Sequence, residues 1–165
     1  VKRKRKKSAP LRVIRINSFN GGYRYLSNFY EDAPVMLDGL HFRNSEAAYQ
    51  AGKAATLSVR KLFVGLTPDE AKKLGKAIAI RADWPDARAD HMRRVIHAKF
   101  TQNPLLAEAL IATGSAELEE GNHWHDNFFG NCYCPACRKI PGQNMLGKIL
   151  MEERDRLSGA GRDAQ

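Results

Sequence analysis

The sequence predicts a compact, helix-rich single domain of the α+β class with a small antiparallel β component. Three observations carry that expectation. The chain has 165 residues, 43% hydrophobic and 27% charged, which fits one soluble globular core. Five segments read as helices, and four of them carry their own start or stop signals. Strand-like runs are few, and no repeated strand–helix–strand rhythm points to a dinucleotide-binding sheet.

Taken in order, LRVIRINSF after Pro10 is rich in β-branched residues and reads as a strand. NGGYRYLSNFYEDAP mixes aromatics with Gly, Asn, Ser and Pro, which suits a structured loop and a pocket wall. In VMLDGLHF, Asp38-Gly39 separates two apolar arms, as in a two-residue hairpin whose turn needs positive φ. From Ser45 the pattern becomes helical through EAAYQAGKAATLSVRKLF, with Ser45 or Asn44 as cap. Thr67, Pro68 and Glu70 then spell a capping box with proline at the first helical position. Another helix begins near Pro85 and sets Met92, Ile96 and Lys99 on neighbouring turns. A further one runs from an Asn103 cap to a Gly114 stop. The last, NMLGKILMEERDRL, offers Met145, Leu146, Ile149 and Leu150 as its buried stripe.

The charge is unevenly placed. Six basic residues sit in KRKRKK at Lys2 to Lys7, so of a formal net +9 only +3 belongs to the rest. Residues 1–10 therefore read as a disordered basic arm, solvated or in nonspecific contact with nucleic acid. Residues 11–157 form the domain and 158–165 a flexible tail. No run approaches 18 apolar residues, so neither a membrane span nor a secretory signal is expected. Cytoplasm is the simplest compartment, with a nucleus as an alternative if the host has one.

Several side chains are candidates for chemistry. Glu46 falls in a first helical turn, where free N–H groups favour an ionised carboxylate; it is a catalytic group or a solvent-facing acid. Tyr49 and Lys53 share roughly its face and Gln50 stands one turn away. Asp126 lies in HWHDNFFG, a loop crowded with aromatics and imidazoles. Two carboxylates from separate elements are the general need of glycosidic chemistry. Trp84 either stacks on a base or anchors local packing. Cys132, Cys134 and Cys137 include a zinc half-site spacing, which His123 or His125 would complete; three reduced thiols are the other reading.

The ordered series YLSNFYEDAPVMLDGLHFRNSEAAYQAGKA, Trp84, KFTQNPLLAEALIATGSAELEE, FG after Asp126 and GQNMLGKILMEER resembles the signatures of the NADAR superfamily, typified by YbiA-like proteins, over about residues 17 to 157. This resemblance implies an N-glycosidase. Proteins of that family are associated with cleavage of ribosylamine bonds in early riboflavin-pathway intermediates, and others with removal of ADP-ribose from guanine in nucleic acid. The resemblance places catalytic roles on Glu46, Asp126 and Lys53, with a covalent lysine–sugar intermediate as an alternative. It places substrate binding on Asn28, Phe29, Tyr49, Gln50, Trp84, Phe129, Gly130, Asn144 and Lys148. A tryptophan-glycine pair common in the family stands here as Phe129-Gly130, which keeps an aromatic wall and loses the indole donor. No cofactor is required for such hydrolysis. Zinc, if bound, is assigned to the cysteine loop as structural. A non-catalytic binding module for ADP-ribose or nucleic acid is the competing class.

Overall fold

Helix α1 (Ser45–Ala51) is buried on every side, and the other helices are arranged around it. Its three alanines, Ala47, Ala48 and Ala51, let neighbouring backbones approach closely. α1 packs chiefly against α3 (Pro68–Ala77) and α4 (Trp84–Gln102), while α5 (Pro104–Ala112) and α6 (Met145–Ala160) close the far side of α4. This computed structural model describes residues 13 to 160, so the basic arm and the last five residues lie outside it.

The helix expected to run on from Ser45 is two helices, α1 and α2 (Leu57–Lys61). The cause is a tertiary contact: a Cβ at Gly52 would stand 2.2 Å from His91 Nε2, so the chain turns away under the imidazole. Thr56 then starts afresh by accepting from Val59 N. At the other helix starts, Thr67 and Glu70 form the expected capping box. Asn103 precedes α5 but does not cap it by its side chain, because its amide donates to Pro34 O and Lys99 O. α6 continues through Ser158–Ala160, where a flexible tail was expected; Ser158 Oγ returns to Arg154 O, keeping the last turn closed.

The β component is small, as expected, but only one of its three ladders among the described residues is antiparallel. That one is the hairpin β2 (Val35–Leu37) with β3 (Leu40–Phe42), turned by Asp38 at φ 52° and Gly39 at φ 76°. β1 (Arg15–Ile16) pairs in parallel with β4 (Glu117–Leu118), and β5 (Gly121–Asn122) with β6 (Asn131–Cys132). Of the long strand expected from residue 11, the described residues form only Arg15–Ile16: Val13 and Ile14 are exposed, so β-branching there has no packed face to reward it. No helix of the described residues is long and apolar enough to cross a membrane.

Candidate active site

Glu46 is placed by its helix. Asn44 caps α1, its Oδ1 accepting from Ala47 N at 2.9 Å, so the cap is Asn44 rather than Ser45. Glu46 N donates to Asn28 O, tying the helix start to the aromatic loop. The carboxylate is buried, and Gln50 Nε2, one turn on, donates to Oε1 at 2.7 Å. Gln50 can reach it because residue 75 is glycine; a Cβ there would fall 2.0 Å from Gln50 Oε1. Burial pushes the Glu46 carboxyl above its ordinary range, against the Gln50 amide, Lys72, Lys53 and Asn28, which favour the charged form.

Asp126 comes from the long irregular segment. Its Oδ1 accepts from Phe128 N at 3.0 Å and Phe129 N at 2.9 Å, so the side chain shapes its own turn. Asn122 holds the other end of this turn, its amide donating to Asp126 O and its Oδ1 accepting from Asp126 N and Trp124 N.

A third carboxylate, Glu120, lies between β4 and β5. Withdrawal from bulk water raises its acid group to about 8, and the charges of Asp126 and Glu46 push the same way against Lys72. Its backbone is pinned on both sides: Glu120 N donates to Asn144 Oδ1, and Glu120 O accepts from Asn131 N. Gly130 allows that close approach, since a Cβ would meet Glu120 O at 2.4 Å.

All three acids line one cavity of about 440 Å³. Phe29, Tyr49, Trp124 and Phe129 supply aromatic wall, and Lys72 and Arg24 supply positive charge. Lys72 Nζ stands 5.1 Å from the Phe29 ring centre and 5.9 Å from that of Trp124. Tyr49 is fixed edge-on to Phe129 and tilted on Trp84, each at 5.3 Å. Burial pushes its phenol well above the usual range, so it is a neutral hydroxyl at pH 7. Behind the loop, fully buried Lys99 donates to Ser27 O at 2.8 Å, and burial brings its amine down to about 7.

The family model for the NADAR domain matches residues 17–158. This chain belongs to the NADAR family. It is 29% identical over 153 residues to the N-glycosidase YbiA of Escherichia coli, covering 88% of this chain and 89% of that protein. The NMR structure of E. coli YbiA superposes with a TM-score of 0.76 over 90% of this chain and 86% of that one. A riboflavin biosynthesis protein of Vibrio vulnificus is 34% identical over 140 residues, 81% of this chain; the chain spans 35% of that relative's length.

Of the residues that the sequence assigned to the NADAR site, Asn28, Phe29, Glu46, Tyr49, Gln50, Asp126 and Phe129 line the cavity together. Trp84 does not; it is buried behind Tyr49 and against His91. Lys53 is absent from the lining, half-buried with its amine 6.0 Å from the Tyr49 ring centre, and Lys72 of α3 stands at the wall instead. Burial lowers the Lys53 amine, with Glu46 opposing. Gly130 acts by letting Glu120 O approach, and Asn144 by its side-chain amide, which donates to Leu118 O and accepts from Glu120 N. Lys148 is exposed on α6 and outside the lining. Glu120, Lys72, Arg24 and Trp124 went unassigned. For Glu120 a signal existed, a pair of acids just after a predicted helix stop, but nothing in the spacing said that its backbone would be clamped beside Asp126.

Proposed function

We propose that this protein hydrolyses a ribose-to-nitrogen glycosidic bond. The observation that carries the reading is the convergence of three carboxylates from three separate segments on one aromatic-walled cavity, one of them keeping its proton to about pH 8. A cavity of that size falls in the range of roughly 300–1,000 Å³ typical of small-molecule sites. The family membership and a relative named as an N-glycosidase support the same bond class.

The step we infer uses these acids in turn. As the C1′–N bond breaks, its electron pair leaves with nitrogen, which takes the proton of Glu120. Positive charge then spreads over C1′ and the ring oxygen, where the Glu46 carboxylate stabilises it and removes a proton from the incoming water. Water oxygen bonds to C1′, giving a ribose C1′ hydroxyl and a free N–H product. Proton exchange with solvent restores both acids. Asp126 leaves Oδ2 for a ribose hydroxyl, since Oδ1 is taken by the turn. Aromatic faces hold the base, and Lys72 and Arg24 meet a phosphate as cations. The atoms balance with water alone.

Two substrates carry this bond with a phosphate in reach: a ribosylamine phosphate of the kind early riboflavin intermediates contain, and ADP-ribosylated guanine. The cavity volume and the relative named for riboflavin biosynthesis favour the smaller one. Folded protein incubated with each should release ribose phosphate from the first. Release from ADP-ribosyl-guanine alone would move the substrate class and keep the bond class. Tight binding of either without product would instead favour a binding module. The arm at Lys2–Lys7 is tested apart: its deletion should lower nucleic-acid affinity and salt slope and leave small-molecule turnover intact.

A further inference from the structure

The cysteine segment contributes no side chain to the cavity lining, yet it is assembled more tightly than a solvent loop requires. Four potential ligand atoms, one each from His125, Cys132, Cys134 and Cys137, all lie within 4.8 Å of one another. A tetrahedral zinc with bonds of about 2.3 Å to sulfur and about 2.0 Å to nitrogen needs ligand separations of roughly 3.5–3.8 Å. His125 Nδ1 already stands 3.3 Å from Cys137 Sγ and 3.4 Å from Cys134 Sγ. All three sulfurs are free thiols.

The backbone is shaped for the same purpose. Cys137 N and Arg138 N both turn back to Cys134 O, making a tight knuckle between the paired cysteines. His125 is held at φ 68°, a left-handed conformation that a non-glycine residue keeps only where its surroundings fix it. Of the two histidines that the sequence offered, His123 is turned to Tyr133, 6.5 Å between ring centres, and lies outside the cluster.

We propose that His125, Cys132, Cys134 and Cys137 bind one zinc ion as a closed structural site. Four protein donors leave no coordination position for water, so the ion does no chemistry. Its effect is mechanical. His125 sits between Trp124 and Asp126, both in the cavity lining, and Cys132 ends β6, whose Asn131 N holds Glu120 O. Cys132 N in turn donates to Asn127 Oδ1. The ion therefore closes the segment that presents Asp126 and braces the strand beside Glu120.

The test is metal content and thiol protection on the full chain, which does not depend on any substrate. Protein purified under reducing conditions with zinc supplied should carry about one zinc per chain. Cobalt in its place should give the visible absorption of a tetrahedral thiolate site. Zinc should slow thiol alkylation at least tenfold, and a chelator should abolish that protection. Cys137→Ser should lose zinc while His123→Ala keeps it, and His125→Cys should retain a four-sulfur site. Folded wild-type protein without zinc, its three thiols alkylated equally fast with and without the ion, would overturn the proposal. If Cys137→Ser fails to fold, the wild-type protection experiment still decides. An inactive protein with full zinc would count against the N-glycosidase reading and leave the metal site standing.

Discussion

Glu46 and Asp126 face the same cavity but are held in opposite ways. Glu46 stands on a buried helix with a single side-chain donor, Gln50, and its ionisation is resisted by its burial. Asp126 stands on a loop and spends one oxygen on two backbone N–H groups. A carboxylate built into a turn is hard to move, because the turn needs an acceptor there. One held on a rigid helix by a single amide keeps its charge free to respond to the substrate. In the proposed reaction, that difference assigns the working charge to Glu46 and makes Asp126 first a scaffold. The predictions test that division.

The largest effect should come from Glu46→Gln. The amide keeps the shape and can still accept from Gln50, so the fold should persist by circular dichroism. Turnover should fall on the order of 10²-fold or more through loss of the charge. Unchanged turnover of the correct substrate would mean that Glu46 only fills space.

Next is Glu120→Gln, with an expected loss of about 10-fold or more at neutral pH. In the wild type the proton-donating form is lost as pH rises through about 8, so the rate should fall on that alkaline side. The variant should lose that limb. Stability carries a matching sign. The folded acid group sits above its unfolded value of 4.5, so its contribution is full below 4.5 and declines up to about 8. Urea titrations across that window should show a shallower decline for Glu120→Gln; parallel curves would separate Glu120 from the acid role.

Gly75→Ala should come third. Its Cβ would displace Gln50 and leave Glu46 without its amide donor, so about a tenfold loss of turnover is expected, with overpacking costing about 1–3 kcal/mol. The double variant with Gln50→Ala, which removes the clash, should recover stability but not rate. Recovery of both would mean that Gln50 has no part in holding Glu46.

How much of this was legible depended on whether the signal was local. The Thr67–Glu70 capping box and the Asp38-Gly39 turn are decided by neighbours in sequence, and both formed as read. The break at Gly52 was invisible because its cause, His91, is 39 positions away. Parallel pairing of Arg15 with Glu117 is likewise a long-range event that no short pattern specifies. In the site, the family-like motifs found Glu46 and Asp126 and the loop aromatics. They exchanged Lys72 for Lys53, since one helix face shows which residues align with Glu46 but not which neighbouring helix crosses it. Trp84 illustrates the same limit: adjacency to the pocket in space does not say whether a ring lines it or supports the ring that does.

The smallest effect, and the sharpest on the comparison, should come from Asp126→Asn set beside Asp126→Ala. Asparagine keeps an oxygen that can accept from Phe128 N and Phe129 N, so the turn should survive and stability should change little. If Asp126 is chiefly a scaffold, turnover of that variant should drop only a few-fold, from the lost charge near a ribose hydroxyl. Alanine removes both backbone bonds, at about 1 kcal/mol each, and should destabilise by about 1–3 kcal/mol. It should also loosen Phe129, whose ring stands edge-on to Tyr49, so substrate affinity should fall more than with asparagine. Thermal unfolding and separate kcat and KM values measure both. A collapse of kcat in Asp126→Asn equal to that of Glu46→Gln would break the division, because charge rather than shape would then be what Asp126 supplies.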